Sequence, residues 1–207
     1  IVFGLISSSM ASSSLEKDYV NNKQQLNAQI AKNVNENIKN VAQQSIAIYS
    51  NLDDIIKVLK NRSRLDTNYL ADYNRVSSYL QSILQSNKKL YAVTLVSLDG
   101  EILYYCSRQG SSINMYNVKD EPWFRETLEL KGFPLVHEPY DKKFIDLSIK
   151  NRKSVISVSR AIVSLESPQS YGVIIFDQAV SQFSSILEDV KVEKEEFIAV
   201  FGKTGNV

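Results

Sequence analysis

Between Leu5 and Asp99 the chain contains neither glycine nor proline. After that come Gly100, Gly110, Pro122, Gly132, Pro134, Pro139, Pro168, Gly172, Gly202 and Gly205. A stretch that long without either residue can stay helical for many turns, because nothing in it removes a backbone donor or adds glycine's conformational entropy. The second half is punctuated like a small antiparallel sheet. The expected class is therefore α+β, with long helices first and a compact sheet after them.

Helical spacing supports this division. Leu26, Ile30, Val34, Ile38 and Val41 step by four or three, and Ile48, Leu52, Ile55 and Leu59 resume the pattern beyond a polar gap at Ser45. Polar residues fill the other positions, so the stripe is narrow, as suits a seam for a partner helix. Asn22 and Ser45 interrupt it, which argues against a strict coiled coil throughout. The run 61–67 breaks the pattern and offers Asp66 or Thr67 as an N-cap. A second helix follows, with Leu70, Tyr73, Val76, Leu80, Ile83 and Leu84 on one face, and it should fold back on the first as an αα-hairpin.

Two β-rich runs, 91–97 and 101–106, meet at Asp99-Gly100, a strong hairpin signal. Pro122 opens a short helix that ends before Gly132. Further strands are expected at 133–137, 154–163 and 171–177, then a helix at 180–190 and a strand at 197–201. The apolar start, Ile1 to Ile6, is far shorter than the roughly 20 residues that span a bilayer. It is either a frayed tail or, preferably, the outer end of a transmembrane helix, and the chain is expected to be a segment of something longer.

Lys and Arg total 24 against 23 Asp and Glu, for a formal net charge of +1. That balance argues against nucleic-acid binding, which usually shows a basic stripe. One cysteine (Cys106) and one histidine (His137) exclude by count both an internal disulfide and a Cys/His zinc site. No metal and no cofactor is expected. A Ser-His-Asp or Cys-His arrangement would have to use His137, which has no nucleophile-elbow pattern near it and is expected at a strand end or the surface. Gly202-Lys-Thr204 lacks the preceding glycine of a phosphate loop, since Phe197 stands there. Asp53-Asp54, Glu195-Glu196 and the lysines at 142–143 and 150–153 are expected to be solvated. No catalytic site is expected in this segment.

Three stretches, in this order and spacing, carry a resemblance. They are Val93-Thr-Leu-Val-Ser-Leu-Asp-Gly-Glu-Ile-Leu103; then Pro122-Trp-Phe-Arg with Glu138-Pro-Tyr140 downstream; then Val155-Ile-Ser-Val-Ser-Arg-Ala-Ile162 with Tyr171-Gly-Val-Ile-Ile-Phe-Asp177. Together they resemble the Cache family, PAS-like extracytoplasmic sensor domains of bacterial histidine kinases, chemoreceptors and cyclases, over roughly 15–190. The resemblance implies the membrane-distal part of a double Cache domain. Its parts are the end of a transmembrane or juxtamembrane segment at 1–14, a long signalling helix at 15–60, a sensor module at 61–190 and the start of a membrane-proximal module at 191–207. It also implies an extracellular or periplasmic segment, anchored in the cell membrane through its flanks. The implied assembly is a homodimer through the N-terminal helix of a receptor, most plainly a sensor histidine kinase in a two-component system.

In relatives that bind amines or amino acids, aromatic rings and a carboxylate hold the ammonium group. The matching positions are Trp123, Tyr140 and Asp177, with Phe124 at the family's second aromatic position. A cation is favoured over an aromatic face, and a carboxylate adds a charge-assisted hydrogen bond. Tyr104 and Tyr105 alternate faces, and Tyr105 is the one expected to point inward; Asp146 is a candidate lid residue. The arginine that relatives place two before the tryptophan is Glu121 here, which disfavours a free α-carboxylate and leaves an amine, a neutral polar compound or a carbohydrate fragment. Each residue also has a plain structural reading: Trp123 as a core anchor, Asp177 as a cap for a helix near Ala179, Tyr140 as closure of a loop. The competing function is a structural or adhesive surface module without a small-molecule ligand.

Overall fold

The computed structural model describes residues 2–61, 66–109, 117–137, 154–164, 166 and 169–182, with side chains from Glu16 onward. The helix expected at 180–190 is described only as a 3-10 turn over Val180–Gln182, and the expected strand at 197–201 lies outside the described residues.

Helix α1 runs from Val2 to Gln44, about 65 Å at 1.5 Å per residue. It gives way to a 3-10 segment, Ser45–Asn51, and then to α2, Leu52–Lys60. The polar gap in the sequence is therefore a change of helix type. Ser45, fully buried, donates to the Ala42 carbonyl at 2.6 Å. Helix α3, Thr67–Ser86, folds back on α2, and the Asp66 side chain caps it by accepting from the Asn68 amide at 2.9 Å. No helix among the described residues is long and apolar enough to cross a membrane.

Strands β1 (Ala92–Ser97) and β2 (Ile102–Ser107) form the expected hairpin. Gly100 takes φ +79, and a Cβ there would lie 2.3 Å from Asn117 Oδ1, so only glycine makes this turn. Helix α4, Pro122–Glu129, begins with its proline in the first turn. Strands β3 (Pro134–Val136), β4 (Val155–Val163) and β5 (Ser170–Ala179) complete an antiparallel sheet in the order β2-β1-β5-β4-β3. The architecture is α+β, as expected.

Both faces of the sheet are covered. Val93, Leu95, Val158, Ile162, Ile174 and Phe176 face α2, α3 and the 3-10 segment, meeting Ile48, Ile55, Val58, Leu80 and Leu84. Ala92, Val96, Ile102, Val155, Val173 and Ile175 face the other way, with Phe124 of α4. A smaller apolar contact seats α1, where Ile30 and Val34 meet Ile156. Arg108, just past β2, donates to the carbonyls of Leu84, Asn87 and Leu90, each at 2.7 Å, satisfying the end of α3 and its exit loop.

One assignment on α3 needs correction. Leu70 is exposed and Tyr69 is buried in its place, giving the face Tyr69, Tyr73, Val76, Leu80 and Leu84. Tyr69 and Tyr73 lie with ring centroids 6.0 Å apart, and the Tyr73 hydroxyl donates to the Leu103 carbonyl at 3.2 Å. The Tyr69 ring packs beside that of Tyr73 in the core, which puts Leu70, one position along, on the exposed side. In urea denaturation, Leu80→Ala should lower stability by about 2–5 kcal/mol, whereas Leu70→Ala should stay within about 0.5 kcal/mol. Equal losses would contradict the corrected face.

Candidate functional site

The face of the sheet under α4 carries most of the polar chemistry. Side chains alternate along each strand, so the pairing register shows which residues share a row. One row across β2, β1, β5 and β4 reads Ser107, Ala92, Asp177, Ser157. The next reads Tyr105, Thr94, Ile175, Ser159. A third, Ile102, Val96, Val173, Ala161, is wholly apolar. The polar groups are thus concentrated in two adjoining rows of an otherwise greasy surface.

Asp177 is fully buried and accepts a hydrogen bond from Ser157 Oγ at 2.6 Å. It belongs to β5, which continues to Ala179, so the capping role is not what its position serves. Tyr105 lies on this same face, as expected, while Tyr104 faces the helices. Burial pushes the Tyr105 hydroxyl pKa well above its usual value, and the charge of Asp177 adds to the shift while the Ser107 hydroxyl opposes it. Tyr91 is raised for the same leading reason, again with a contribution from Asp177. Its hydroxyl donates to Gln109 Oε1 at 2.9 Å.

Two hydroxyls here lack a hydrogen-bond partner of normal geometry among the described residues: Thr94 Oγ1 and Tyr105 OH. Thr94 is fully buried and Tyr105 only 3% exposed. Buried polar groups are nearly always paired, and one that is not costs about 1–3 kcal/mol. Paired residues of adjoining strands in the row beside Asp177, they are suited to a polar group brought from outside.

Helix α4 supplies the other wall. Phe124 is packed inside the core, whereas Trp123 is half-buried, edge-on to Phe124 at 5.9 Å and to His137 at 5.2 Å. His137 does sit at a strand end, yet it is largely buried, and its Nε2 lies 2.7 Å from Ser159 Oγ. Ser159 Oγ is 2.5 Å from Thr127 Oγ1, which donates to the Trp123 carbonyl at 2.7 Å. Counting protons orders this chain: the one proton of Thr127 goes to the carbonyl, so Ser159 donates to Thr127 and His137 Nε2 donates to Ser159. Glu121 stands at the N-cap of α4 without capping it, and Arg125 points to solvent.

The structure thus brings Tyr105, Trp123, Phe124 and Asp177 to one side of the sheet. Tyr140 and Asp146 lie outside the described residues. Ser157, Ser159, Thr94, Thr127 and His137 join them, although the sequence reading had not placed them there. A groove of about 420 Å³ also opens on the outer side of α2 and α3, lined by Asn51, Asp54, Asn74, Arg75, Val76, Ser78 and Tyr79. Its charges are already paired: Asp54 accepts from Lys57 at 3.1 Å and Arg75 at 3.3 Å. The Lys57 hydrogen bond is the main cause of a lowered Asp54 pKa.

A five-stranded antiparallel sheet in this order, with a long N-terminal helix and a helical hairpin on one face, is the fold of Cache-type, PAS-like extracellular sensor domains. Among solved structures, the extracellular domain assigned to the histidine kinase vpHK1S-Z8 is similar, with a TM-score of 0.57 at 12% identity over 81% of this chain and 63% of that one. A domain of a sensory box/GGDEF family protein from Vibrio parahaemolyticus has a TM-score of 0.49 at 12% identity, over 75% and 64% of the two chains. The ligand-binding domain of the Campylobacter jejuni chemoreceptor Tlp3, solved with 4-methylisoleucine, has 0.45 at 18% identity, over 77% and 62%. The chain spans just under two thirds of the length of each. No family model and no curated protein sequence matches it.

The raised tyrosines have a consequence at high pH. In the unfolded chain these hydroxyls ionise near pH 10, while in the folded chain they keep their protons. Their contribution is complete below pH 10 and is lost as pH rises through the folded values, because the unfolded state releases protons first. The urea midpoint should therefore fall above about pH 10, and Tyr105→Phe should flatten that fall. At neutral pH, Tyr105→Phe should leave stability unchanged or slightly higher, while Ser157→Ala should lower it by about 1–3 kcal/mol by stripping a donor from a buried carboxylate. A Tyr105→Phe loss matching that of Ser157→Ala would mean that the hydroxyl is already satisfied.

Proposed function

We propose that the chain is the ligand-sensing extracellular domain of a membrane-bound signal-transduction receptor, with a sensor histidine kinase as the output class, and that it binds a small polar molecule carrying an amine. One observation carries this reading: a buried carboxylate, Asp177, in the row next to two buried hydroxyls, Thr94 and Tyr105, that lack a partner of normal geometry among the described residues, on the face that α4 and Trp123 cover. A carboxylate takes an ammonium group by a charge-assisted hydrogen bond, an indole face favours the same cation, and neutral hydroxyls suit an uncharged polar group elsewhere on the ligand. Among the described residues no arginine or lysine points into this face, which favours an amine over a free α-amino acid.

The fold supports the class, and the candidate residues gather on the sheet face that α4 covers, away from α2 and α3. In this reading residues 1–14 end a membrane-anchoring segment, 15–60 transmit the signal, 61–190 hold the ligand and 191–207 begin a membrane-proximal module. The helix pairs with that of a second copy. A ligand shifts such a receptor only by its differential affinity for two packings, and about 1–3 kcal/mol is enough for a graded response.

A thermal-shift panel of amines, amino acids, sugars and organic acids tests the reading. Amines should raise the melting temperature, and Asp177→Ala and Trp123→Ala should each weaken binding by about 10-fold or more, the loss of a charged hydrogen bond or a cation–π contact. A saturating compound whose affinity ignores both substitutions would place the site elsewhere. A panel without hits would favour the adhesive module.

A further inference from the structure

Arg160 interrupts an apolar row. On its face of β4 the neighbours are Val158 and Ile162, both core residues, and Arg160 itself is only 7% exposed. It belongs to none of the ion pairs found among the described residues. Burying a cation without a carboxylate is costly unless other groups compensate. Neutral acceptors do so here. Nε donates to Ser45 Oγ at 2.7 Å, Nη2 donates to the Ala42 carbonyl at 2.9 Å, and Nη1 donates to the Gly132 carbonyl.

The origin of these acceptors gives the contact its meaning. Ala42 lies in the last turn of α1, where carbonyls have no partner along the helix and the helix dipole is negative. Helix α1 has no basic residue in that turn, so the sheet supplies the missing cation. Gly132 belongs to the turn that ends α4, at φ +93, and a Cβ on it would stand 3.0 Å from Val163 Cγ2 and 3.3 Å from the Tyr49 hydroxyl. That turn therefore rests directly on the 3-10 segment. The guanidinium thus bonds at once to the break in the long helix and to the far end of the helix that carries Trp123 and Thr127. Its own strand carries Ser157 and Ser159 on the opposite face.

We infer that Arg160 is a positioning residue that couples the candidate site to the long helix, holding α4 through the Gly132 carbonyl and the helix break through Ala42 and Ser45. What this coupling transmits rests on the sensor reading; the coupling itself is a property of the chain without any ligand. A guanidinium is planar, with its donors in a fixed fork, so it cannot follow one partner without changing its angle to the others. A shift of α4 must then be shared with Ser45 or break a bond. Coupling is reciprocal, so a change at Ser45 must also be felt at α4.

Trp123 is the only tryptophan of the chain and stands on α4, across the sheet from Ser45. Its fluorescence in the ligand-free chain is the readout. Ser45→Ala removes the acceptor of Nε, and Arg160→Lys keeps the charge but replaces the planar fork that spans the three acceptors with a compact ammonium. Both should shift Trp123 emission to the red and raise its quenching by acrylamide, while Ser45→Thr, which restores a hydroxyl, should return both toward the parent values. Ile48→Val, which trims the same helical layer without touching the guanidinium, is the control and should leave both unchanged. The inference is overturned if Ser45→Ala folds with an unaltered Trp123, or if Ile48→Val alters it equally. Should Arg160→Lys fail to fold, the Ser45 pair decides alone. A ligand panel without hits would undo the sensor reading and leave this result standing.

Discussion

Strand alternation is the constraint on which the rest depends. Strands β4 and β5 pair over nearly their whole length and are buried on both sides, so each successive residue is delivered to a different layer. One set, Val158, Ile162, Ile174 and Phe176, closes the core against the helices. The other places Ser157, Ser159 and Asp177 beneath α4. A slip of one residue would drive Asp177 into the helical core and turn Phe176 toward the polar rows, so the long register that builds the sheet also keeps these polar groups together. The apolar face is strong enough to carry polar groups on its reverse.

Those groups burden the fold. A buried aspartate and two hydroxyls without a partner of normal geometry among the described residues are choices that a sequence selected for stability alone would avoid. Local departures of this kind cluster where a protein meets something else, and here they gather in two adjoining rows. The hydroxyl chain from His137 through Ser159 and Thr127 to the Trp123 carbonyl has the opposite character: it is complete, and it fixes α4 and its tryptophan against β4. A fixed wall thus faces an unfinished floor.

Much of the fold was legible because punctuation and period are local. Asp99-Gly100 announced the hairpin, Pro122 the start of α4, and the apolar stripe the long helix, whereas the gap at Ser45 spoke only against a continuous coiled coil and did not reveal the change to a 3-10 segment. The face of α3 was misjudged at one position, since periodicity alone does not separate Leu70 from Tyr69 and the hydroxyl contact of a neighbouring tyrosine is a long-range fact. Tyr105, Trp123 and Asp177 were singled out from motif and alternation, and they lie on one side of the sheet. His137 was not, because a lone histidine has no pattern of its own, although it shares the parity of Leu135, which faces Ser159. Ser157, Ser159 and Arg160 did leave a trace: small hydroxyls on one parity and a charge on the other, inside a run of valine and isoleucine. The partners of that charge, Gly132, Ser45 and Ala42, stand 28, 115 and 118 residues away and could not be read from any local window of sequence.

The break at Ser45 has a mechanical consequence. The 43 residues before it form a rod about 65 Å long, seated on the body of the protein by a small apolar contact around Ile30, Val34 and Ile156. Pivoting at the fulcrum beside Arg160, such a lever moves its far end by about 1 Å for each degree of tilt. Rearrangements too slight to disturb the packing of the sheet would be magnified by such a lever into displacements as large as the spacing between atoms.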